Sequence, residues 1–263
     1  MNFMSTKGKT MNLARVRFCG LALICLTAAT GAGAQENRGL GLGLGYFSGE
    51  RAYGDTDNVL VPLVDFETDW VRFRGLTADL KLPFISSETL SFAIRANYTI
   101  GEGYEADDTP VLAGMDERKG GLWAGAAMDW RPGFADFAFE WQSDISGDSD
   151  GHRLRVEMSR RFNPTGSERF GLTPRITGIW MDDNAAEYYY GVRTTEVTPT
   201  RTAYTGSSTL NVELGVQADY MLSERQILIF DAGVTRLGSG ITDSPITVDK
   251  TLTSVGMGYA YRF

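Results

Sequence analysis

The stretch SVGMGYAYRF, Ser254–Phe263, sets the terms on which the rest of the chain is read. From Val255 every second residue is large and apolar or aromatic (Val255, Met257, Tyr259, Tyr261, Phe263), and between them stand Gly256, Gly258, Ala260 and Arg262. A strand turns successive side chains to opposite faces, so this alternation makes one greasy face and one small or charged face. The pattern is repeated far upstream in GLGLGLGY, where Leu40, Leu42, Leu44 and Tyr46 share one face and Gly39, Gly41, Gly43 and Gly45 the other. Two such strands, paired, would close a rolled sheet and leave no edge with unpaired backbone groups.

Outward from these ends, the period of two continues through the chain. In TLSFAIRANYTI, Leu90, Phe92, Ile94, Ala96, Tyr98 and Ile100 oppose Ser91, Ala93, Arg95, Asn97 and Thr99. In STLNVELGVQADYML, Leu210, Val212, Leu214, Val216, Ala218, Tyr220 and Leu222 oppose Asn211, Glu213, Gly215, Gln217, Asp219 and Met221. No sustained spacing of three and four competes with it. Strands are expected near 38–47, 59–67, 69–74, 75–83, 89–100, 121–131, 134–143, 151–163, 168–180, 208–222, 225–237 and 249–263. Twelve is an even number and returns both ends to one side; ten is the alternative, if the pair meeting at Arg74 and Gly75 is not formed.

A soluble sandwich alternates too, and three features choose between them. Many of these strands run to ten residues or more, whereas soluble strands usually have about 5 to 6 and a tilted membrane strand needs about 9 to 11. Connections alternate in length, with PFISSE, RPGF, NPTGSE and SER short and those around 101–120, 143–151, 181–207 and 238–248 long. Trp130, Trp141, Trp180 and Tyr220 fall near strand ends, where an aromatic girdle belongs. The expectation is an all-β transmembrane antiparallel up-and-down barrel with short periplasmic turns and longer extracellular loops, in the outer membrane.

The first residues fit that destination. Lys7, Lys9, Arg15 and Arg17 precede an apolar run from Phe18 to Thr30, followed by Ala32-Gly33-Ala34. This reads as a cleaved secretory signal peptide over residues 1–34, with the barrel occupying 35–263. Its apolar run is shorter than the roughly 20 residues a spanning helix needs. Cys19 and Cys25 both lie in the leader, so no disulfide or thiolate metal site is expected in the mature chain. Cleavage moves the formal charge from −8 to −12, and an acidic chain without a basic block is a poor nucleic-acid binder.

A family resemblance is carried by VPLVDFETD, FRGLTADLKL, DDTPVLAGMDERKGG, SDISGDSDGHR, YYYGVRTTEV, TDSPI and the final GYAYRF, in that order over essentially the whole expected mature chain. Together they resemble the MipA/OmpV family of outer-membrane proteins, with GMDERKGG and YYGV the most specific. The resemblance implies a non-enzymatic scaffold or binding protein in envelope and murein maintenance. Its implied partners are outer-membrane lipid, a murein lytic transglycosylase and a penicillin-binding protein. Porin-like solute passage and surface adhesion are the alternatives within the same family. The terminal aromatic strand also resembles the signal read by outer-membrane assembly machinery.

No catalytic set, cofactor site or metal centre is expected. GLGLGLG lacks the strand-then-helix context of a dinucleotide loop. His152, the one histidine, lies near Ser146, Ser149, Asp148 and Asp150, which raises a lipid hydrolase as a lesser alternative. A triad, however, is recognised by geometry. Ser146, Asp148, Asp150, Gly151 and Glu157 partly match a calcium-loop spacing, but Glu157 would stand in a strand facing the lumen; an acidic hairpin loop is the preferred reading. The expected inward set mixes signs: Lys81, Arg95, Asp129, Asp136, Glu140, Arg155, Glu157, Arg161, Arg175, Glu213, Asp219 and Arg262. A narrow barrel with this lining is expected to be filled rather than open, since wide diffusive porins have about 16 to 18 strands. The long loops carry Tyr104, Met115, Tyr188, Tyr189, Tyr190 and Tyr204, which serve either partner contact or a plug.

Overall fold

The computed structural model describes residues 40–99 and 102–263, so the expected signal peptide, residues 1–34, and Gly39 lie outside the described residues. Twelve antiparallel strands close on themselves: β1 (Leu40–Glu50), β2 (Thr56–Glu67), β3 (Val71–Arg74), β4 (Thr77–Lys81), β5 (Leu90–Tyr98), β6 (Leu122–Trp130), β7 (Asp136–Asp144), β8 (His152–Ser159), β9 (Phe170–Met181), β10 (Thr209–Ser223), β11 (Gln226–Arg236) and β12 (Thr251–Arg262). Each strand pairs with its sequence neighbours, and β1 closes the ring against β12 from Gly41↔Arg262 to Gly49↔Ser254. The strand count of twelve therefore holds, the doubtful pair included, although β3 and β4 have only four and five residues.

The period-2 pattern decides which side faces lipid. On β1, Leu40, Leu42, Leu44 and Tyr46 are exposed outward while Gly41 and Gly45 are buried, and on β10 the even residues face out while Asn211, Glu213, Gln217 and Asp219 are buried within. This inverts a soluble protein: the large exposed side chains are the lipid-facing ones, and polar residues fill the interior. Glycines on the β1–β12 seam leave room for inward bulk. A Cβ on Gly45 would lie 2.7 Å from the Phe47 ring, and one on Gly258 would lie 2.9 Å from Leu63. Aromatics ring both ends. Trp141 and Trp180 stack at 6.1 Å on the outer wall at one end, and Trp130, Phe134 and Phe137 cluster at the other.

The connections separate into two sets. At one end lie residues 68–70, 82–89, 131–135, 160–169 and 224–225; at the other lie 51–55, 99–121, 145–151, 182–208 and 237–250, with two helices, α1 (Asp183–Tyr190) and α2 (Ser239–Thr242). The end with the longer loops is the extracellular one. The shortest connection at that end is β3–β4, only Gly75 and Leu76, in which Gly75 takes φ +55° as a tight hairpin requires.

Candidate functional site

The long loops fold over the extracellular mouth as a cap with its own core. Tyr53, Tyr104, Leu112, Met115, Val192 and Ile246 are buried together, with Tyr190 and Tyr204 packed against them. α1 is started by Asp182, whose side chain accepts the Ala185 amide at 2.9 Å, and it buries Ala185, Ala186 and Tyr189. The carbonyls of its last turn are then used by other loops. Arg118 Nε donates to Tyr188 O at 2.8 Å, Tyr53 OH to Tyr189 O at 2.9 Å, and Ser244 Oγ to Tyr190 O at 2.6 Å.

One buried ion pair locks this arrangement. Arg118 Nη2 lies 2.9 Å from Glu196 Oε1, and both side chains are almost fully enclosed. Burial pushes the Glu196 carboxyl up, but the Arg193 and Asp116 amides and the Arg118 guanidinium outweigh it, so the group titrates below the usual carboxylate range. Arg201 donates to the carbonyls of Glu196 and Val111. Burial pushes the Tyr104 hydroxyl up to about 12 and raises Tyr189 and Tyr190 as well. The aromatic loop residues thus mostly build a plug, the alternative to a solvent-facing contact surface.

Beneath the cap, charges pair across the lumen. Arg95 on β5 reaches Asp79 on β4 at 2.7 Å and also Glu140 on β7. Arg175 on β9 lies 2.9 Å from Glu213 on β10 and 2.7 Å from Asp231 on β11. Arg161 meets Asp219 at 2.7 Å, and Arg155 meets Glu157 at 2.6 Å. Nearer the cap, Arg153 lies over the Trp123 ring at 4.1 Å and contacts Glu102 and Gln142 at 2.9 Å each. At the periplasmic end a vestibule of about 390 Å³ is lined by Asp69, Arg72, Lys81, Ser91, Ala127 and Asp129, among others.

Most of the expected inward set is found inside, with one correction: the Arg262 side chain is about half exposed at the rim, 3.9 Å from Asp65. Arg72, Asp79, Arg153 and Asp231 join the network and escaped the sequence reading, although Asp231 could have been found by extending the alternation Ile229, Asp231, Gly233. His152 needs correcting too. It opens β8, within the strand expected over 151–163, but it faces outward, stacks on Trp141 at 5.7 Å, and meets Ser143 Oγ at 2.8 Å rather than Ser146 or Ser149. Those two serines are held by Asp144. Glu157 points into the lumen against Arg155 and Thr177, away from the acidic turn. Among the described residues no cluster of three metal-ligating side chains is formed.

The segments DDTPVLAGMDERKGG, YYYGVRTTEV and TDSPI, distant in sequence, are the ones that meet in the cap. A family model described as MltA-interacting protein MipA matches residues 42–263. The chain belongs to the MipA family. MltA-interacting protein of Escherichia coli K12 is 26% identical over 95% of this chain and 100% of its own length. Outer membrane protein OmpV of Vibrio cholerae is 26% identical over 84% of this chain and 85% of its own. Outer membrane protein Omp26La of Vibrio anguillarum is 29% identical over 63% of this chain and 64% of its own. Two of these relatives are named outer membrane proteins, and this protein is an outer-membrane β-barrel. Among solved barrels, OmpT of Vibrio cholerae aligns over 87% of this chain and 99% of its own with a TM-score of 0.39 at 8% identity, too slight a likeness to carry function.

Proposed function

We propose that this barrel is a sealed, non-enzymatic binding protein that holds a murein-processing enzyme at the inner face of the outer membrane. The observation that carries the reading is the combination of a packed extracellular cap with a lumen crossed by paired charges. Such an interior offers little free path for a solute, which sets the channel alternative second. The name of the Escherichia coli relative points to MltA, a murein lytic transglycosylase, as the type of partner. A penicillin-binding protein fits the same place as a second partner, and outer-membrane assembly machinery is the transient one.

Periplasmic turns must then make the contact. The turn 82–89 contains a short 3-10 segment, Pro83–Ile85, from which Phe84 projects with 74% of its surface exposed and Ile85 with 51%. An aromatic anchor of this kind suits a binding hot spot. The test is crosslinked pulldown from intact envelopes with the natural sequence and with Phe84→Asp. The reading expects a transglycosylase to be captured by the first and lost or strongly reduced with the second. No murein enzyme in either sample would refute it.

A further inference from the structure

The barrel wall is not of one height. β2 pairs with β1 over eleven residues, from Leu40↔Phe66 to Glu50↔Thr56, but with β3 over only three, from Asp65↔Arg74 to Glu67↔Arg72. One more amide crosses, Gly75 N to Val64 O at 2.9 Å, and there the β3–β4 hairpin ends. β4 then pairs with β5 from Thr77↔Asn97 downward. Above the hairpin, β2 is an edge within an otherwise closed ring. From Asn58 to Val64 it extends roughly 20 Å at about 3.3 Å per residue. Overhead, Arg51 of the first loop donates to Gly103 O at 3.0 Å and to Asp108 Oδ2 at 3.1 Å, bridging the gap. Among the described residues the opening is bounded by β2, by the β3–β4 hairpin below and by the Arg51 contacts above, and it lies in the extracellular half of the wall.

The hydrogen-bond parity shows what faces it. Arg51 N donates to Asp55 O, so odd residues of β2 bond to β1 and even ones turn their backbone toward the opening. Pro62 falls on that edge, where a missing N–H breaks no ladder bond. The Asn58 amide is taken by Asp57 Oδ1 at 3.0 Å. The carbonyls of Asn58, Leu60 and Pro62 and the amide of Leu60 have no hydrogen-bond partner among the described residues.

An open edge in hydrocarbon is not tolerated unless something satisfies it. A strand from a second chain fits poorly, because neither Pro62 nor the occupied Asn58 amide can donate to it. The surroundings favour a different occupant. Outside the opening stands Leu60, exposed on β2, and on the inner side of β1 and β2 Phe47, Val59 and Leu63 face the lumen. Along the opening β2 is apolar on both faces, with the carbonyls of Asn58, Leu60 and Pro62 on its edge.

We propose that this opening is a lipid-binding window. An acyl chain of an outer-leaflet lipid passes from the bilayer into the lumen against Phe47, Val59 and Leu63. Hydroxyl and amide groups at the root of the chain meet the backbone of Asn58, Leu60 and Pro62. This does not depend on the murein-enzyme reading, since the window and the periplasmic turns are at opposite ends of the wall.

The test places the photo-crosslinking residue p-benzoylphenylalanine at Val61, inward on β2 at the window, with Val59 as a second position. Thr235, inward on β11 and paired on both sides by Glu213 and Leu252, is the control. The whole barrel, shown to be folded by its heat-modifiable gel mobility, is irradiated in bilayers of phospholipid alone or of phospholipid with lipopolysaccharide, whose acyl chains are hydroxylated and amide-linked. Mass spectrometry then reads the adducts. The expected result is a lipid adduct at Val61 or Val59 about tenfold above Thr235 and above the phospholipid-only bilayer, a preference of about 1.4 kcal/mol. The proposal is overturned by folded barrels with no lipid adduct at either window position. Equal yields at window and control, equal yields in the two bilayers, or adducts joining two protein chains overturn it as well.

Discussion

At the extracellular end, loops from four connections bring Tyr53, Tyr104, Leu112, Met115, Val192 and Ile246 into one core, held by the Arg118–Glu196 pair. At the periplasmic end, the β10–β11 turn has only two residues, the others run from three to ten, and a vestibule lies beside Asp69, Lys81 and Asp129. The membrane wall itself is the same alternating code at both ends. What differs is how the chain spends its non-strand residues, and the asymmetry gives the molecule a sealed side and an accessible side. The vestibule and the exposed Phe84 both lie on the periplasmic side.

The strongest way to break this comparison is to remove a charge both ends rely on. Arg175→Ala leaves Glu213 and Asp231 buried without their shared guanidinium. Loss of one member of a buried pair costs about 3–5 kcal/mol, so the temperature at which the folded gel band converts to the unfolded one should fall markedly. An unchanged conversion temperature would mean the lumen network is not what holds β9, β10 and β11 together.

Next in size is Arg118→Ala, which acts on the cap alone. Glu196 is left enclosed and unpaired, at a cost of about 3 kcal/mol or more to the loop assembly. Limited proteolysis should cut within 182–208 while the barrel band persists, which separates the two ends experimentally. Gly103→Ala acts more gently on the same end. Its new Cβ would press on the Arg118 carbonyl and the Gly120 amide, and overpacking of this kind typically costs about 1–3 kcal/mol.

The cap should also respond to pH from both directions. Glu196 titrates below its unfolded value of about 4.3, so its stabilisation is complete above that pH and is lost as pH falls through the folded value. Tyr104 is held protonated to about 12, so its contribution is complete below the unfolded value near 10 and is lost as pH rises toward about 12. Proteolytic protection of the cap should therefore be flat between about pH 5 and 9 and decline on either side. The smallest effect is expected of His152→Ala. The ring lies on the outer wall against Trp141 and Ser143, and stability should change by no more than about 0.5 kcal/mol. Lipid hydrolysis that disappears in this variant would restore the enzyme alternative.

The contrast between the two ends also explains what could be read without coordinates. Alternation located every strand because one face meets lipid and the other does not, a difference that each residue reports locally. It even placed the β3–β4 hairpin, through the glycine at position 75. What it missed depends on register. Arg95 finds Asp79 and Glu140 only because neighbouring strands are offset by particular amounts, and no spacing along the chain reveals that offset. The cap was illegible for a related reason: Arg118, Glu196 and Ser244 are far apart in sequence and lie in loops without a period. The partner of His152 was hidden for the same reason: Ser143 stands across the hairpin on β7, and only the register brings the two together. The short height of the β3–β4 wall was visible as short strands, but its consequence, a bare edge on β2, needed the pairing to be known.

Conductance of the purified, folded barrel in planar lipid bilayers tests the sealed-barrel account most directly. The account expects no discrete current steps from the natural sequence at neutral pH, with steps emerging only when the cap is loosened by Arg118→Ala. Stable, frequent steps from the unaltered protein would contradict it and make the molecule a channel.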